Sequence, residues 1–169
     1  MSLDNIELTP FLIEGLFKNS LVELEQAKKV SKSTANNGFN ILGNNKSRVA
    51  IIIKDADNLY LPDDQLSFLM EILLACHLTM EDVAIVNVYN KDMVNYKFIE
   101  SELKALKIIL FGVSAAEIGL PLAFPKYQIQ QYNDQTYVLG ASLKEMKNNI
   151  PEKTNLWNCL KQIFNIKTQ

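Results

Sequence analysis

The sequence predicts an α/β fold of three layers, in which a short and mainly parallel central sheet lies between layers of helices. From residue 48 onward, short apolar runs rich in branched residues recur, and each has the length of a buried strand. Stretches with apolar residues at helical spacing separate these runs. This alternation of strand and helix favours parallel strands with helices on both faces of the sheet.

The first segment, residues 1–25, is predicted to contain an amphipathic helix. Thr9 is a suitable N-cap, and Pro10 suits the first helical position. A helix of this length is marginal in isolation and needs a surface on which to lie. Its apolar stripe supplies the candidate partner-binding residues, which are Phe11, Leu12, Leu16, Phe17 and Leu21.

Residues 26–47 are polar and rich in Ser, Asn and Gly, so we predict a linker or a long loop there. An apolar stripe on a short tethered helix is typical of helix-in-groove recognition of a partner. The alternative is that this helix packs on its own domain, and the sequence leaves both possibilities open. The α/β domain is then expected to span residues 48–169.

Within that domain, apolar runs and paired turn residues predict five strands, at residues 48–54, 83–88, 107–111, 127–132 and 135–139. The last two strands flank a predicted turn at Asn133 and Asp134. Helical spacing predicts helices or helical turns at residues 63–77, 93–106, 113–119, 142–148 and 151–165.

Polar or small residues follow three of these strands, where α/β folds place ligand sites. Asp55 and Asp57 follow the first strand, Asn87 lies near the end of the second, and Gly112 and Ser114 follow the third. These five residues form a candidate strand-end pocket. The alternative is structural, because aspartates commonly form turns, glycine permits tight turns and serine caps helices.

The motifs of cofactor and metal chemistry are absent from the sequence. It contains neither G-x-G-x-x-G nor G-x-x-x-x-G-K-[ST], and its single histidine and two distant cysteines do not form a zinc signature. His77 follows an apolar helix and is expected to cap it. We therefore expect no catalytic residue, no cofactor and no metal.

Composition bears on partners and location. The net charge is −2 and Arg48 is the only arginine, so direct nucleic-acid binding is expected to be weak or absent. Cys76 and Cys159 lie in apolar helical surroundings and are expected to be reduced core residues. The N-terminus lacks the features of a signal peptide and no apolar run is long enough for a membrane span, so we expect a cytoplasmic protein.

Residues 107–117, KIILFGVSAAE, resemble the strand, glycine and small-residue turn found late in the uracil-DNA glycosylase-like fold. In that fold a further strand leads to a short motif and a closing helix, and residues 137–164 have this layout. The residues similar to the signature of the closing helix are Pro151, Lys153, Leu156, Trp157 and Leu160.

The resemblance implies that Asp57 lies near the position of the acid that activates water in the glycosylases. The Gly, Pro and His that accompany that acid are missing from KDADNLY. Gly140 and Ala141 stand where the family has a His-Pro pair. These departures remove the group that stabilises the departing base.

In overall plan the chain is more similar to a non-catalytic relative of that fold, the psi-subunit family of bacterial DNA polymerase III. In that family an N-terminal peptide docks on the clamp loader, a polar connection follows, and the last helix of the α/β body contains a Leu-Trp pair. The resemblance implies a replication role, with the clamp loader and a chi-like subunit as partners. A degenerate or active glycosylase and a small-molecule-binding module remain as alternatives.

Overall fold

The computed structural model describes residues 40–89 and 95–166, and the structural statements below refer to these residues. The predicted N-terminal helix, with its candidate residues Phe11, Leu12, Leu16, Phe17 and Leu21, lies outside them. Most of the predicted linker also lies outside. Both remain predictions.

Strands and helices alternate through the described residues. The strands are β1 (Ile41–Leu42), β2 (Val49–Ile53), β3 (Val83–Asn87), β4 (Lys107–Phe111), β5 (Gln130–Tyr132) and β6 (Gln135–Gly140). The helices are α1 (Asp63–Ala75), α2 (Tyr96–Ser101), α3 (Leu143–Lys147) and α4 (Ile150–Ile163), with a 3-10 helix at Ala116–Ile118. The α/β class predicted from the sequence is confirmed.

The six strands form one sheet in the order β1-β3-β2-β4-β6-β5. The four central strands are parallel, and β1 and β5 pair antiparallel with their neighbours at the two edges. In β2 and β3 all five residues are buried, as expected for parallel strands covered on both faces. The prediction of a mainly parallel sheet is therefore also confirmed.

The central strands divide the core into two halves, because successive side chains point to opposite faces of the sheet. On one face, Val49, Ile51 and Ile53 pack in a cluster with residues of α1, α3 and α4. On the other face, Ala50 and Ile52 pack with residues of α2 and the 3-10 helix. The sheet therefore has helices on both sides, which gives three layers.

Helix α2 is shorter than the predicted helix at residues 93–106. The Asn95 side chain accepts a hydrogen bond from the Phe98 backbone N–H at 3.0 Å and fixes the start of the helix. Lys104 has a φ of +49°, which no residue of an α-helix adopts. The Leu106 N–H donates to the carbonyl of Arg48, the residue directly before β2. The predicted helix was too long because apolar residues keep helical spacing beyond Ser101, where the helix ends.

Strand β5 is also shorter than predicted. We expected a strand at residues 127–132, but Tyr127 has a φ of +58° and the strand begins at Gln130. The predicted turn is confirmed, since Asn133 and Asp134 both have positive φ, at +52° and +59°. This is the backbone of the two-residue hairpin turn that Asn and Asp favour.

Strand β1 lies within the stretch predicted as linker or loop. Ile41 pairs with Val86 of β3, and the following turn continues along the same strand, where the Asn45 N–H donates to the Val83 carbonyl at 3.0 Å. Gly43 has a φ of +105°, and a Cβ there would lie 2.2 Å from the Val83 carbonyl oxygen. The edge of β3 is therefore covered by the chain that precedes β2.

Candidate functional site

The carboxyl ends of β2, β3 and β4 lie side by side, which brings the candidate strand-end residues to one edge of the sheet. Ile53 at the end of β2 pairs with Asn87 on one side and with Phe111 on the other. The chain leaves β2 towards β3 and leaves β4 towards β6, in opposite directions across the sheet. Ligands of open α/β sheets bind at such a reversal of strand order.

Asn87 holds the loop that follows β2. The residue is 9% exposed, and its Oδ1 accepts from the backbone N–H of Asp55 at 3.1 Å and of Tyr89 at 3.0 Å. Its Nδ2 donates to the carbonyls of Asp55 and Asn58, both at 2.9 Å. The hydrogen-bonding capacity of the amide is therefore used within the protein.

Asp55 forms a turn, and the hydrogen bonds of its side chain lie within that turn. Its Oδ1 accepts from the backbone N–H groups of Asp57 at 3.1 Å and Asn58 at 2.8 Å, and from the Asn58 side chain at 3.0 Å. This is an Asx turn, in which the carboxylate organises the backbone that follows it. Asp57 is exposed, and its side chain makes no hydrogen bond or ion pair with any described residue.

Ser114 immediately precedes Ala115, the N-cap of the 3-10 helix, and bonds to Glu117 of that helix. Its backbone N–H and hydroxyl donate to Glu117 Oε2 at 2.7 Å and 2.9 Å, while its hydroxyl accepts from the Glu117 N–H at 3.3 Å. Lys54 Nζ donates to the other carboxylate oxygen of Glu117. This bond, followed by the Ser114 N–H and hydroxyl, lowers the pKa of Glu117 to about 2.

The Lys54–Glu117 ion pair joins the loop after β2 to the loop after β4. It therefore spans the point where the strand order reverses. Neither Lys54 nor Glu117 was among the site residues predicted from the sequence. In the sequence, a lysine follows β2 and a glutamate follows β4. These opposite charges could be paired only once the sheet order had shown that the two strands are neighbours.

Gly112 allows close packing of two protein segments. Its φ is +66°, and a Cβ at this position would lie 2.9 Å from the Cβ of Ser142, the N-cap of α3. The Gly112 N–H donates to the Gly140 carbonyl at 3.1 Å. The close approach that requires glycine here is made by the protein's own backbone and not by a ligand.

The five candidate residues therefore meet at one edge of the sheet, but the polar groups of Asp55, Asn87 and Ser114 bond to neighbouring protein groups. The structural interpretation of this pattern is the one that the geometry supports. Within residues 40–89 and 95–166, no three His, Cys, Asp or Glu side chains are grouped so that they could hold a metal. Cys76 and Cys159 are free and buried, and burial raises the pKa of both thiols, that of Cys76 to about 11.

A different region, the outer face of α1, is open and apolar. Apolar residues at helical spacing run along α1 at Leu66, Leu69, Met70, Leu73 and Leu74. Leu69 and Leu73 are buried, but Met70 is 49% exposed and Leu74 is 73% exposed. We call the exposed residues Ser67, Met70, Glu71 and Leu74 the α1 face.

The α1 face is one wall of a groove with a volume of about 420 Å³, which we call the α1 groove. Its other wall is the turn after α1, with Leu78, Thr79 and Met80. A second apolar groove of about 210 Å³ lies on the other side of the helix, between α1 and α4, and includes Phe68 and Trp157. The α1 face thus stands between two apolar depressions.

The end of α1 shapes the α1 groove. The His77 N–H donates to the Leu74 carbonyl at 3.0 Å and the Leu78 N–H to the Leu73 carbonyl at 2.9 Å, which is the Schellman arrangement. His77 has the left-handed φ of +58° that this arrangement requires. We expected His77 to cap the helix, and the bond that it makes is through its backbone N–H.

Comparison with protein-family models gave no match for this chain. Comparison with curated proteins likewise gave no significant match. The resemblance to the psi-subunit family therefore stays a prediction from the residues quoted above. None of the helices in the described residues is long and apolar enough to cross a membrane.

Proposed function

We propose that this protein is a non-catalytic accessory subunit of the psi kind, which binds other proteins in a replication assembly. In this proposal the N-terminal segment docks on a clamp-loader-like complex through Phe11, Leu12, Leu16, Phe17 and Leu21. The α/β domain binds a further, chi-like subunit. The protein carries out no reaction of its own.

The observation that carries the proposal is the contrast between two described surfaces. At the strand-end edge, where an α/β enzyme would hold its substrate, Asp55, Asn87 and Ser114 bond to neighbouring protein groups. The α1 face instead exposes Met70 and Leu74 beside grooves lined by aromatic and methionine side chains. Aromatic residues and methionine are enriched in protein interfaces.

The alternatives raised by the sequence both need an accessible polar pocket at the strand ends. A glycosylase would use Asp57 to activate water, and such a base must lie within hydrogen-bond reach of that water in the substrate pocket. Asp57 is exposed and belongs to a surface turn. No observation on the described residues favours either alternative over protein binding.

The direct test is binding of the purified full chain to a purified bacterial clamp-loader complex, measured by surface plasmon resonance. We expect the double variant Phe11→Ala/Phe17→Ala to bind at least ~100-fold more weakly, because each large apolar side chain contributes about 1.5–3 kcal/mol when buried. The matched control Asn19→Ala/Ser20→Ala, in the same segment, should bind as the native chain does.

A lack of binding by the native chain at about 10 μM would reject the clamp-loader proposal, since this is weak for a specific assembly. A parallel assay of uracil release from single-stranded DNA tests the main alternative. Uracil release that is lost in Asp57→Asn would replace the proposal with a glycosylase function.

A further inference from the structure

The α1 groove has the electrostatic character of a site for a cation-bearing partner. Residues 63–82, which form α1 and the turn after it, contain no lysine or arginine. Of their five acidic side chains, Asp64 and Glu81 pair with Lys147 and Lys46. Glu71 lines the groove, is exposed, and makes no ion pair with a described residue. It is the only charged residue among those that line the groove.

The C-terminal end of α1 adds to this field. Helix C-termini carry partial negative charge, and a basic residue in the last turn commonly balances it. The last turn of α1 has no basic residue. Nearby lysines are already engaged, because Lys46 pairs with Glu81, Lys147 pairs with Asp64 at 3.0 Å, and Lys153 lies 5.1 Å from the Phe68 ring centre in the other groove.

The backbone around the α1 groove favours a helical partner over an extended one. The N–H groups of Cys76, His77 and Leu78 bond to carbonyls of α1, and the Thr79 N–H donates to Asp82 Oδ2 at 2.8 Å. The Glu81 and Asp82 carbonyls accept from Lys46 and Ser47. An extended peptide would find few free backbone groups with which to pair, whereas a helix satisfies its own.

The apolar lining suits the face of such a helix. Met70 and Leu74 project beside the groove, and Leu73, Leu78 and Met80 line it. Methionine side chains adapt to irregular partner surfaces. Apolar residues at helical spacing on a partner could pack between Met70, Leu74 and the turn after α1.

The charge pattern also separates this partner from the chain's own N-terminal segment. Residues 1–25 contain one lysine, Lys18, and five acidic residues, which are Asp4, Glu7, Glu14, Glu23 and Glu25. Like charges oppose association, so an acidic segment is a poor match for a groove in which Glu71 is the charged lining residue.

We propose that the α1 groove binds a basic amphipathic helix of a partner protein, with apolar residues against Met70 and Leu74 and Lys or Arg side chains near Glu71 and the C-terminus of α1. This inference rests on the proposed protein-binding function and names the chemistry of the partner for the α/β domain. It does not depend on what the N-terminal segment binds.

The test uses three designed helical peptides with the same apolar face and polar faces made of Lys, Gln or Glu. Binding to the full chain is measured by fluorescence anisotropy at low ionic strength. We expect the Lys peptide to bind at least ~10-fold more tightly than the Glu peptide at low ionic strength. The difference should be smaller at about 0.5 M salt, because salt screens the interaction between exposed charges.

Two variants locate the site. Met70→Gln/Leu74→Gln should weaken Lys-peptide binding at least ~10-fold, through loss of apolar contact. The control Leu106→Gln/Leu122→Gln replaces two other exposed leucines, which are 46% and 52% exposed, and should not change binding. Glu71→Lys should reduce or reverse the preference for the Lys peptide. Circular dichroism checks that each variant is folded.

Several results would overturn the inference. These are equal binding of the three peptides, no binding of the Lys peptide, or Lys-peptide binding that survives Met70→Gln/Leu74→Gln. Competition by a peptide of residues 8–24 would instead assign the groove to the chain's own segment. Self-association in sedimentation that Leu74→Gln abolishes would assign it to a second copy. The clamp-loader assay tests the N-terminal segment, whereas the peptide assay tests the α1 groove. A failure of clamp-loader binding would therefore not change the interpretation of the peptide results.

Discussion

The strand-end edge and the α1 face differ in how their residues are exposed and bonded. At the strand-end edge, Asn87, Asp55 and Ser114 are polar and their hydrogen bonds run to neighbouring protein groups. On the α1 face, Met70 and Leu74 are apolar and have solvent beside them. The comparison shows that polar residues at a strand end can be structural, while apolar residues in a helical pattern can be available for a partner.

The largest expected effect comes from removing the amide that holds the strand-end loop. Asn87→Ala deletes hydrogen bonds to backbone groups of Asp55, Asn58 and Tyr89 in a nearly buried position. We expect a loss of about 4 kcal/mol in the free energy of unfolding, at about 1 kcal/mol for each bond. Urea denaturation measures this value.

Asp57→Asn provides the control for that experiment, because Asp57 lies in the same loop and is exposed. We expect it to change the free energy of unfolding by less than about 0.5 kcal/mol. Equal effects of the two substitutions would contradict the structural role assigned to Asn87.

The second prediction concerns Gly112, whose conformation and packing both require glycine. Gly112→Ala should lower the free energy of unfolding by about 3 kcal/mol, from the left-handed φ and from a Cβ placed 2.9 Å from Ser142 Cβ. Gly119→Ala is the matched control, because Gly119 has a similar φ of +71° but its nearest neighbour would be 3.8 Å away. Its expected loss of about 1 kcal/mol comes from conformation alone.

If Gly112→Ala and Gly119→Ala proved equally destabilising, the close packing of Gly112 on the start of α3 would have no measurable effect. The site would then be open enough for a ligand. That outcome would weaken the distinction between the two regions.

The third prediction uses pH to measure the ion pair that joins the two strand-end loops. The pKa of Glu117 falls from 4.5 to about 2 on folding, mainly through the bond from Lys54. A depressed carboxylate pKa contributes stability above pH 4.5, and this contribution declines as the pH falls from 4.5 to about 2.

We therefore expect Glu117→Gln to cost about 1 kcal/mol or less at pH 7, and to cost progressively less as the pH falls through that interval. Solvent screening sets this small value, because the Lys54 and Glu117 side chains are 44% and 38% exposed. Urea denaturation of both proteins across the acid range gives the difference. A difference that does not depend on pH would mean that the ion pair does not stabilise the fold.

The smallest expected effect is on the α1 face. Leu74→Gln should change the free energy of unfolding by less than about 0.5 kcal/mol, because Leu74 is 73% exposed and Gln has nearly the helix propensity of Leu. A loss above about 1.5 kcal/mol would show that this side chain is covered in the folded protein. The α1 face would then be part of the core.

Sequence patterns predicted the sheet well, because the runs RVAIIIK, VAIVNV and KIILF are too apolar and too short for any other buried element. Strand β1 was not predicted, because two residues in a polar stretch carry no periodicity and Ile41 is stabilised by pairing with Val86 far along the chain. The end of α2 was misplaced because apolar spacing continues to Leu106, whereas the helix ends at Ser101 and Lys104 has a φ of +49°.

For the candidate sites, the sequence located the strand-end residues at one edge but could not identify their partners. Asn87 bonds to residues about thirty positions earlier, which is a property of the sheet order. On α1, Leu73 and Leu74 have the same character in sequence. Leu73 belongs to the core cluster against the sheet, whereas Leu74 is 73% exposed, so the way in which α1 lies on the sheet decides which of them is buried.

The position of β2 at the centre of the sheet has a consequence for synthesis of the protein. Val49 lies between Val83 and Lys107, so β2 gains its second neighbour only after β4 has left the ribosome. Until then the nascent chain exposes VAIII, a run with high β-propensity and no charge. Fragments that end before Phe111 should therefore aggregate, and chaperones have a defined segment to protect during translation.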